Sequence, residues 1–437
     1  MGRKREMGKR GDGFRWAILQ CYHLMWSFAL VACSPLYLLT KNGRFRERLG
    51  LNLPRVSLGK KTFWIHALSV GEVISAIPLV EALTVKFPQR PIVFTATTAK
   101  GMEIAQRELQ GKVKALLTMP VDSWWSVRRI VKHVDPAVFV LVETDIWPAL
   151  LDYLEKKGTP CLLVNGRISP STFKSYQRFP FLVRQVFAPL ESCLMQSDLD
   201  RERLLRVGIG PEKVRTVGNI KFDRDFLPMT EEECRKWLDL FGLPSDTIIW
   251  VAGSIHKGEE KILLEVFQRL SSEFTKLRLI LAPRKTEESG TIWKLSREMG
   301  FKTTLRSELT RNSRFGEVLV LDTLGELNRV YGLGRLSFVG GSLVPTGGHN
   351  LLEPAGFGCP VFFGPHTFNF VEMGELLVAA GGGRQIRDGE ELYRSIRALL
   401  EQDELRIRMG KRAKEFVEQN RGAVDRIVSY VEAAVSM

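Results

Sequence analysis

Residues 335–356, RLSFVGGSLVPTGGHNLLEPAG, run from a short apolar segment through two Gly pairs into the start of a helix pattern. RLSFVGG (335–341) reads as a strand, and the glycines that follow form a loop. Asn350 is a good N-cap, Glu353 stands three residues on as in a capping box, and Pro354 is compatible with a first turn. Strand, Gly-rich loop and helix in that order make one step of a parallel α/β sheet. N–H groups left open in such a loop, together with a helix N-terminus, favour an anion such as phosphate. An N-x-x-E can also do no more than cap a helix, so the motif alone assigns no ligand.

The same strand-to-helix alternation extends in both directions. Upstream, TIIWVAGSIHKGEEKILLEVFQRL (247–270), LRLILAPRK (277–285) and VLVLDTLGELNRVYG (318–332) belong to one series, and CPVFFG (359–364) follows downstream. An earlier series comprises TFWIHALSVGEVISAIPLVEALTVKF (62–87), PIVFTATT (91–98), AVFVLVET (137–144), TPCLLVNGRIS (159–169), CLMQSD (193–198) and VRTVGNIKFD (214–223). A chain of 437 residues is too long for one ordinary core, and two α/β domains of about 200 residues each are expected. The boundaries read as 46–225 for the first and 246–400 for the second. Residues 226–245 form a linker with a helix starting at Thr230, and residues 401–437 are helical and amphipathic.

The formal charge of +14 is unevenly spread. Residues 1–61 hold 13 Lys and Arg against 3 Asp and Glu, which leaves a net of only +4 for the rest. A nucleic-acid groove would distribute its cations over the folded surface, so no nucleic-acid partner is expected. These cations instead flank Trp16–Thr40, 25 residues without a formal charge, and residues 1–45 read as a membrane anchor. Cations on both sides give no orientation, and Pro35 would break or kink a helix there. A span, an in-plane anchor on anionic lipid and a buried core helix all remain open.

The six cysteines are scattered with no C-x-x-C pair, and neither HExxH nor a zinc-type spacing occurs, so no metal site and no cofactor are expected. Asp198 and Asp200 match a D-x-D pattern but precede a helical run and suit an N-cap better. GIGPEK (208–213) is a turn without the strand and helix that dinucleotide binding requires.

Candidate site residues collect where strands end, which is where parallel sheets bind ligands. In the second half these are Arg284 after LRLIL, Gly325 after VLVLD, and Gly364, His366 and Asn369 after CPVFF. In the first half, Glu72 lies in SVGE at a strand-to-helix turn, Glu143 and Asp145 lie in VETDIWP, and Lys221 lies in NIKFD. Taken singly, each has an ordinary reading as a surface ion pair, a dipole-compatible carboxylate or a solvated loop residue.

As a set, SVGE, ETDIWP, NGRIS, GNIKFD, DTLGEL, FVGGSLVPTGGHNLLEPA and GPHTFNF resemble the 3-deoxy-D-manno-octulosonic acid (Kdo) transferases. The resemblance implies a GT-B fold, two Rossmann-like domains facing across a cleft, with the C-terminal helices returning towards the first. It implies transfer of Kdo from CMP-Kdo to the lipid A precursor, lipid IVA, with inversion at the anomeric carbon and without a metal. It also implies work at the inner membrane with the catalytic domains on the cytoplasmic side. Carried over by motif, Glu72 corresponds to the catalytic base, and Glu143 and Lys221 to groups that stabilise the transition state. The CMP contacts fall on Pro283, Arg284, Leu324, Gly325, Glu326, Asn350, Leu351, Leu352 and Glu353. One departure is Lys285, where family members often have His. A UDP-sugar enzyme of the same fold, such as a lipid A disaccharide synthase, is the nearest alternative. A non-catalytic basic membrane or RNA-binding protein would account for the first 61 residues only.

Overall fold

The computed structural model describes residues 15, 18–28, 32, 43–54, 58–223, 229–310, 315–368 and 370–436. Its contacts divide into two units. One comprises residues 1–224 with 421–437, and the other residues 225–420.

The first unit is built on seven parallel strands among the described residues: β1 (Thr62–Ala67), β2 (Ile92–Ala96), β3 (Ala115–Thr118), β4 (Pro136–Val142), β5 (Cys161–Gly166), β6 (Ser192–Met195) and β7 (Val214–Thr216). Their order is β3-β2-β1-β4-β5-β6-β7, so the winding reverses between β1 and β4. Every residue of β1 is buried, as expected for a central parallel strand covered on both faces. Phe63 and Ile65 pack on one face with Val73, Leu79 and Leu83 of the Val70–Lys86 helix, while Trp64 packs on the other with Ile130, Leu150 and Leu154. Pro78 lies inside the Val70–Lys86 helix without ending it. The Ala423–Ser436 helix supplies buried Ile427 and Val431 to the first face. The Asp223 carboxylate accepts the N–H groups of Gly422 and Val424 at its start.

The second unit repeats the scheme with β8 (Ile248–Ile255), β9 (Leu277–Pro283), β10 (Thr303–Leu305), β11 (Val318–Val320), β12 (Leu336–Val339), β13 (Val361–Phe363) and β14 (Gly383–Gln385). The order is β10-β11-β9-β8-β12-β13-β14, again all parallel, and the winding reverses between β8 and β12. Thr230 caps the Glu231–Phe241 helix through a complete capping box with Glu233, where the sequence places a helix start. Two parallel seven-stranded sheets flanked by helices are the α/β architecture that the alternating pattern anticipates.

Residues 18–28 are helical, and no described helix is long and apolar enough to cross a membrane. This stretch rests on the first unit by one side. Leu19 is buried, the Tyr22 hydroxyl donates to Asp122 at 2.9 Å, and Arg15 pairs with Asp152 and Glu155. Leu24, Met25 and Phe28 are exposed. The remainder of the anchor expected over 16–40, apart from Ala32, lies outside the described residues, as do Asn369 and residues 224–228.

Candidate active site

The reversal between β1 and β4 gathers the chemistry of the first unit. Glu72 sits in the first turn of the Val70–Lys86 helix, which is separated from the end of β1 at Ala67 by Leu68 and Ser69 alone. Its carboxylate accepts the Leu68 N–H and, at 3.3 Å, the Ser69 hydroxyl. Those are the bonds of a capping carboxylate. Yet burial, then the charge of Glu143, push its pKa up to about 7, Asp145 adding to the rise and the two hydrogen bonds opposing it. A cap without another task would be held ionised, whereas this one titrates at the pH where a general base operates best.

Glu143 immediately follows β4 with φ of +60°, a left-handed conformation that a glutamate rarely adopts. Its carboxylate lies 3.4 Å from the Lys221 ammonium. Lys221 is placed by the short 3₁₀ turn Ile220–Asp223. Ile220 N–H donates to Asn165 Oδ1 at 3.1 Å, and Lys221 N–H donates to Asn219 Oδ1 at 3.0 Å. Asn165, at the end of β5, is wholly buried with φ of +53°. Asp145 accepts the Trp147 indole N–H at 2.8 Å and lies 3.4 Å from His66 Nε2. The Nδ1 of that ring lies 3.1 Å from the Thr95 carbonyl and 3.0 Å from the Thr95 hydroxyl. The three sequence-derived residues Glu72, Glu143 and Lys221 therefore form one cluster at a topological switch point.

In the second unit, adjacent strands β11, β9, β8 and β12 present their following loops along one edge of the sheet. Pro283 is the last residue of β9, and Arg284 is exposed beyond it, its N–H bonded to the Ile255 carbonyl. Leu324 is exposed, Gly325 has φ of +85°, and the Glu326 carboxylate is held by Arg306 at 2.8 Å and by the Thr323 hydroxyl. Asn350 Oδ1 accepts the Leu352 N–H at 3.1 Å, Leu351 and Leu352 are buried, and Glu353 is half-buried in the Leu352–Gly356 turn.

One sequence reading is overturned here. The Gly-rich loop does not offer its first N–H groups to a ligand, because the buried Glu259 carboxylate takes those of Gly341, Ser342 and Leu343 at 2.7–3.0 Å, together with that of His256 at 2.9 Å. Nor is the following helix a dipole of any length: Leu352–Gly356 has five residues. The loop is thus a scaffold. Gly340 is required for closeness, since a Cβ there would stand 2.5 Å from Ile255 Cα, and Gly341, at φ of +69°, lies under the rings of His256 and His349. Gly364 and His366 buttress the same loop, their N–H groups donating to the Ser342 hydroxyl and carbonyl. The D-x-D alternative is accounted for as a cap: Ser197 caps the Asp198–Arg206 helix, and buried Asp200 accepts the Ile168 N–H at 2.7 Å.

The family model for 3-deoxy-D-manno-octulosonic-acid transferases (kdotransferases) matches residues 43–224. The 3-deoxy-D-manno-octulosonic acid transferase of Haemophilus influenzae is 33% identical over 93% of this chain and 98% of its own length. The chain belongs to the Kdo transferase family. The enzyme of that name from Chlamydia pneumoniae is 28% identical over 94% of this chain and 95% of its own. Among solved structures, the UDP-GlcNAc 2-epimerase of Neisseria meningitidis superposes with a TM-score of 0.60 at 14% identity, covering 85% of this chain and all of that one, which shows a shared GT-B fold.

Several residues of this Kdo transferase's strand-end clusters carried no sequence signal of their own. Glu259 looks like any first-turn glutamate in HKGEE; three of its four partners are 82–84 residues away. His256, Asn165 and Ser254, the last with φ of +56°, sit at or just past strand ends, and position relative to the strand was the available clue. Glu143, Asn165 and Ser254 all hold left-handed backbone at the carboxyl ends of β4, β5 and β8. Such strain costs about 1–3 kcal/mol per residue and gathers at functional sites.

Proposed function

We propose that the enzyme moves Kdo from CMP-Kdo to a hydroxyl of the lipid A precursor lipid IVA, inverting the anomeric carbon, with Glu72 as general base. Membership of the Kdo transferase family carries the sugar and the reaction class. The pKa of about 7 on Glu72, beside the Glu143–Lys221 pair, supports the choice of base. In a single displacement the acceptor hydroxyl attacks the anomeric carbon, the bond from that carbon to the phosphate oxygen breaks, and CMP leaves with the electron pair. Glu72 takes the hydroxyl proton. Positive charge develops on the sugar ring beside an existing sugar carboxylate, and Glu143 and Lys221 supply one charge to answer each. The donor contacts are Pro283, Arg284, Leu324–Glu326 and Asn350–Glu353. No metal enters the scheme; among the described residues no three or more His, Cys, Asp or Glu are grouped to hold one.

The first test separates donors. Calorimetry should give saturable binding of CMP and much weaker binding of UDP; preference for UDP would move the enzyme to a different sugar. Mass spectrometry of lipid IVA after incubation with CMP-Kdo should then show the added Kdo.

The proposed location is the inner membrane, catalytic units on the cytoplasmic side, held through residues 1–45. The uncharged run and its flanking cations support this. Removing residues 1–40 should give a more soluble protein with unchanged CMP affinity, its first unit weakened by about 1–3 kcal/mol because Leu19 and the Tyr22 bond to Asp122 are lost. A truncated chain that does not fold would make the segment core instead.

A further inference from the structure

The closest contact between two titratable side chains on the second unit's ligand edge involves residues with no role so far. His256, just past β8, and His349, in the loop after β12, approach with Nε2 atoms 2.7 Å apart and ring planes within 9° of parallel. A contact that short between two ring nitrogens holds one proton: one Nε2–H donates and the other Nε2 accepts. Each ring keeps its Nδ1 outside this contact. Both rings are half-buried over Gly341, which has no side chain to separate them. His349 is the residue before Asn350, and Arg284 is near enough to act on it electrostatically. The pair therefore stands among the residues assigned to the donor.

We infer that the His256–His349 pair is an anion contact for the donor's phosphate, with His349 neutral in the empty site and taking up a proton when the phosphate lies against the pair. The inference rests on the proposed donor site. Burial, then Arg284, then His256 lower the His349 pKa to about 4, so His349 is uncharged at neutral pH in the empty site. An arriving phosphate supplies the negative charge whose lack keeps the proton away. The surrounding charges agree with this. Arg284 faces the pair from the end of β9, and Lys257 flanks His256 on its own loop. Glu259 is occupied by four N–H donors, Glu260 accepts the Gly258 N–H, and His366 stands after β13 with its carbonyl near Gly348. The charged groups that act on His349 are Arg284 and His256, both of which oppose its protonation, and an arriving phosphate is of the opposite sign. When the anomeric carbon–oxygen bond breaks, the electron pair goes to a phosphate oxygen already facing that proton. The proton returns to solvent when CMP leaves.

Calorimetry on the full chain in detergent at pH 8, in two buffers of different ionisation enthalpy, reads the protons taken up per CMP bound. At that pH CMP is itself a dianion. Uptake of a substantial fraction of one proton is expected for wild type and close to none for His349→Gln and His256→Gln, with CMP binding weakened about tenfold or more. Cytidine, which lacks the phosphate, should bind wild type and both variants equally. That equality also shows that the variants are folded. Equal proton uptake in wild type and both variants, or equal losses for cytidine and CMP, overturns the inference while leaving the donor site standing. Failure of wild type to bind CMP at all overturns both.

Discussion

Glu72→Gln should turn over at least about a hundredfold more slowly than wild type while binding CMP normally and melting no lower. General-base assistance is worth about 10²–10⁴ in rate, and Gln keeps the size and most of the hydrogen bonding but cannot take a proton. The stability half follows from the sign of the pKa shift. Glu72 titrates near 7 in the fold against a usual 4.5, so ionising it costs the folded state more than the unfolded one. That penalty is absent below about 4.5, grows between the two values and is complete above 7. At pH 8 the Gln variant escapes it and should melt at or above the wild-type temperature. Wild-type turnover should rise as pH passes through about 7, and the variant should lack that limb. Turnover within roughly tenfold of wild type would return Glu72 to a capping role.

Glu259→Ala should be the costliest single truncation in the second unit's loops. Its carboxylate is wholly buried and accepts four backbone N–H groups, from His256, Gly341, Ser342 and Leu343. Each buried donor left unmade costs about 1–3 kcal/mol, less whatever water enters the gap. A loss of at least about 3 kcal/mol is expected, or roughly 6–12 °C in the melting temperature of a unit this size. CMP binding should fall with it, because the loop carrying His349 and Asn350 loses its template. Glu259→Gln keeps the shape but turns an NH₂ toward one pair of donors, and should fall between Ala and wild type. A melting shift under about 2 °C for Ala would mean that the loop holds itself without this residue.

The central strands were legible because burial on both faces writes a largely apolar run, unbroken in PAVFVLV and interrupted only by Thr62 and His66 in TFWIHA. The strands that the sequence did not reveal are β3, β10 and β14, of three or four residues each, and all three are sheet edges. An edge strand has one neighbour and partial cover, so neither its length nor its hydrophobicity distinguishes it from a loop. The cluster of Glu72, Glu143 and Lys221 was visible because each residue follows or opens a recognisable element. The Gly-rich loop was placed correctly and its chemistry misread. Three of its N–H groups, those of Gly341, Ser342 and Leu343, are answered by a glutamate more than 80 residues away, and no local pattern announces a partner at that distance. The His256–His349 contact was hidden for the same reason, being a pairing of two loops rather than a property of either.

The first unit is not one continuous length of chain. Residues 421–437 supply its last helix, with Ile427 and Val431 in the core and Asp223 gripping the helix start, after 196 residues belonging to the other unit. On the ribosome, the first sheet therefore emerges early but must wait with one apolar face partly bare until residues 423–436 have been made. The second unit has every residue it needs before then. The order of completion is the reverse of the order of synthesis, and a chain stopped at residue 420 would carry a finished second unit and an unfinished first.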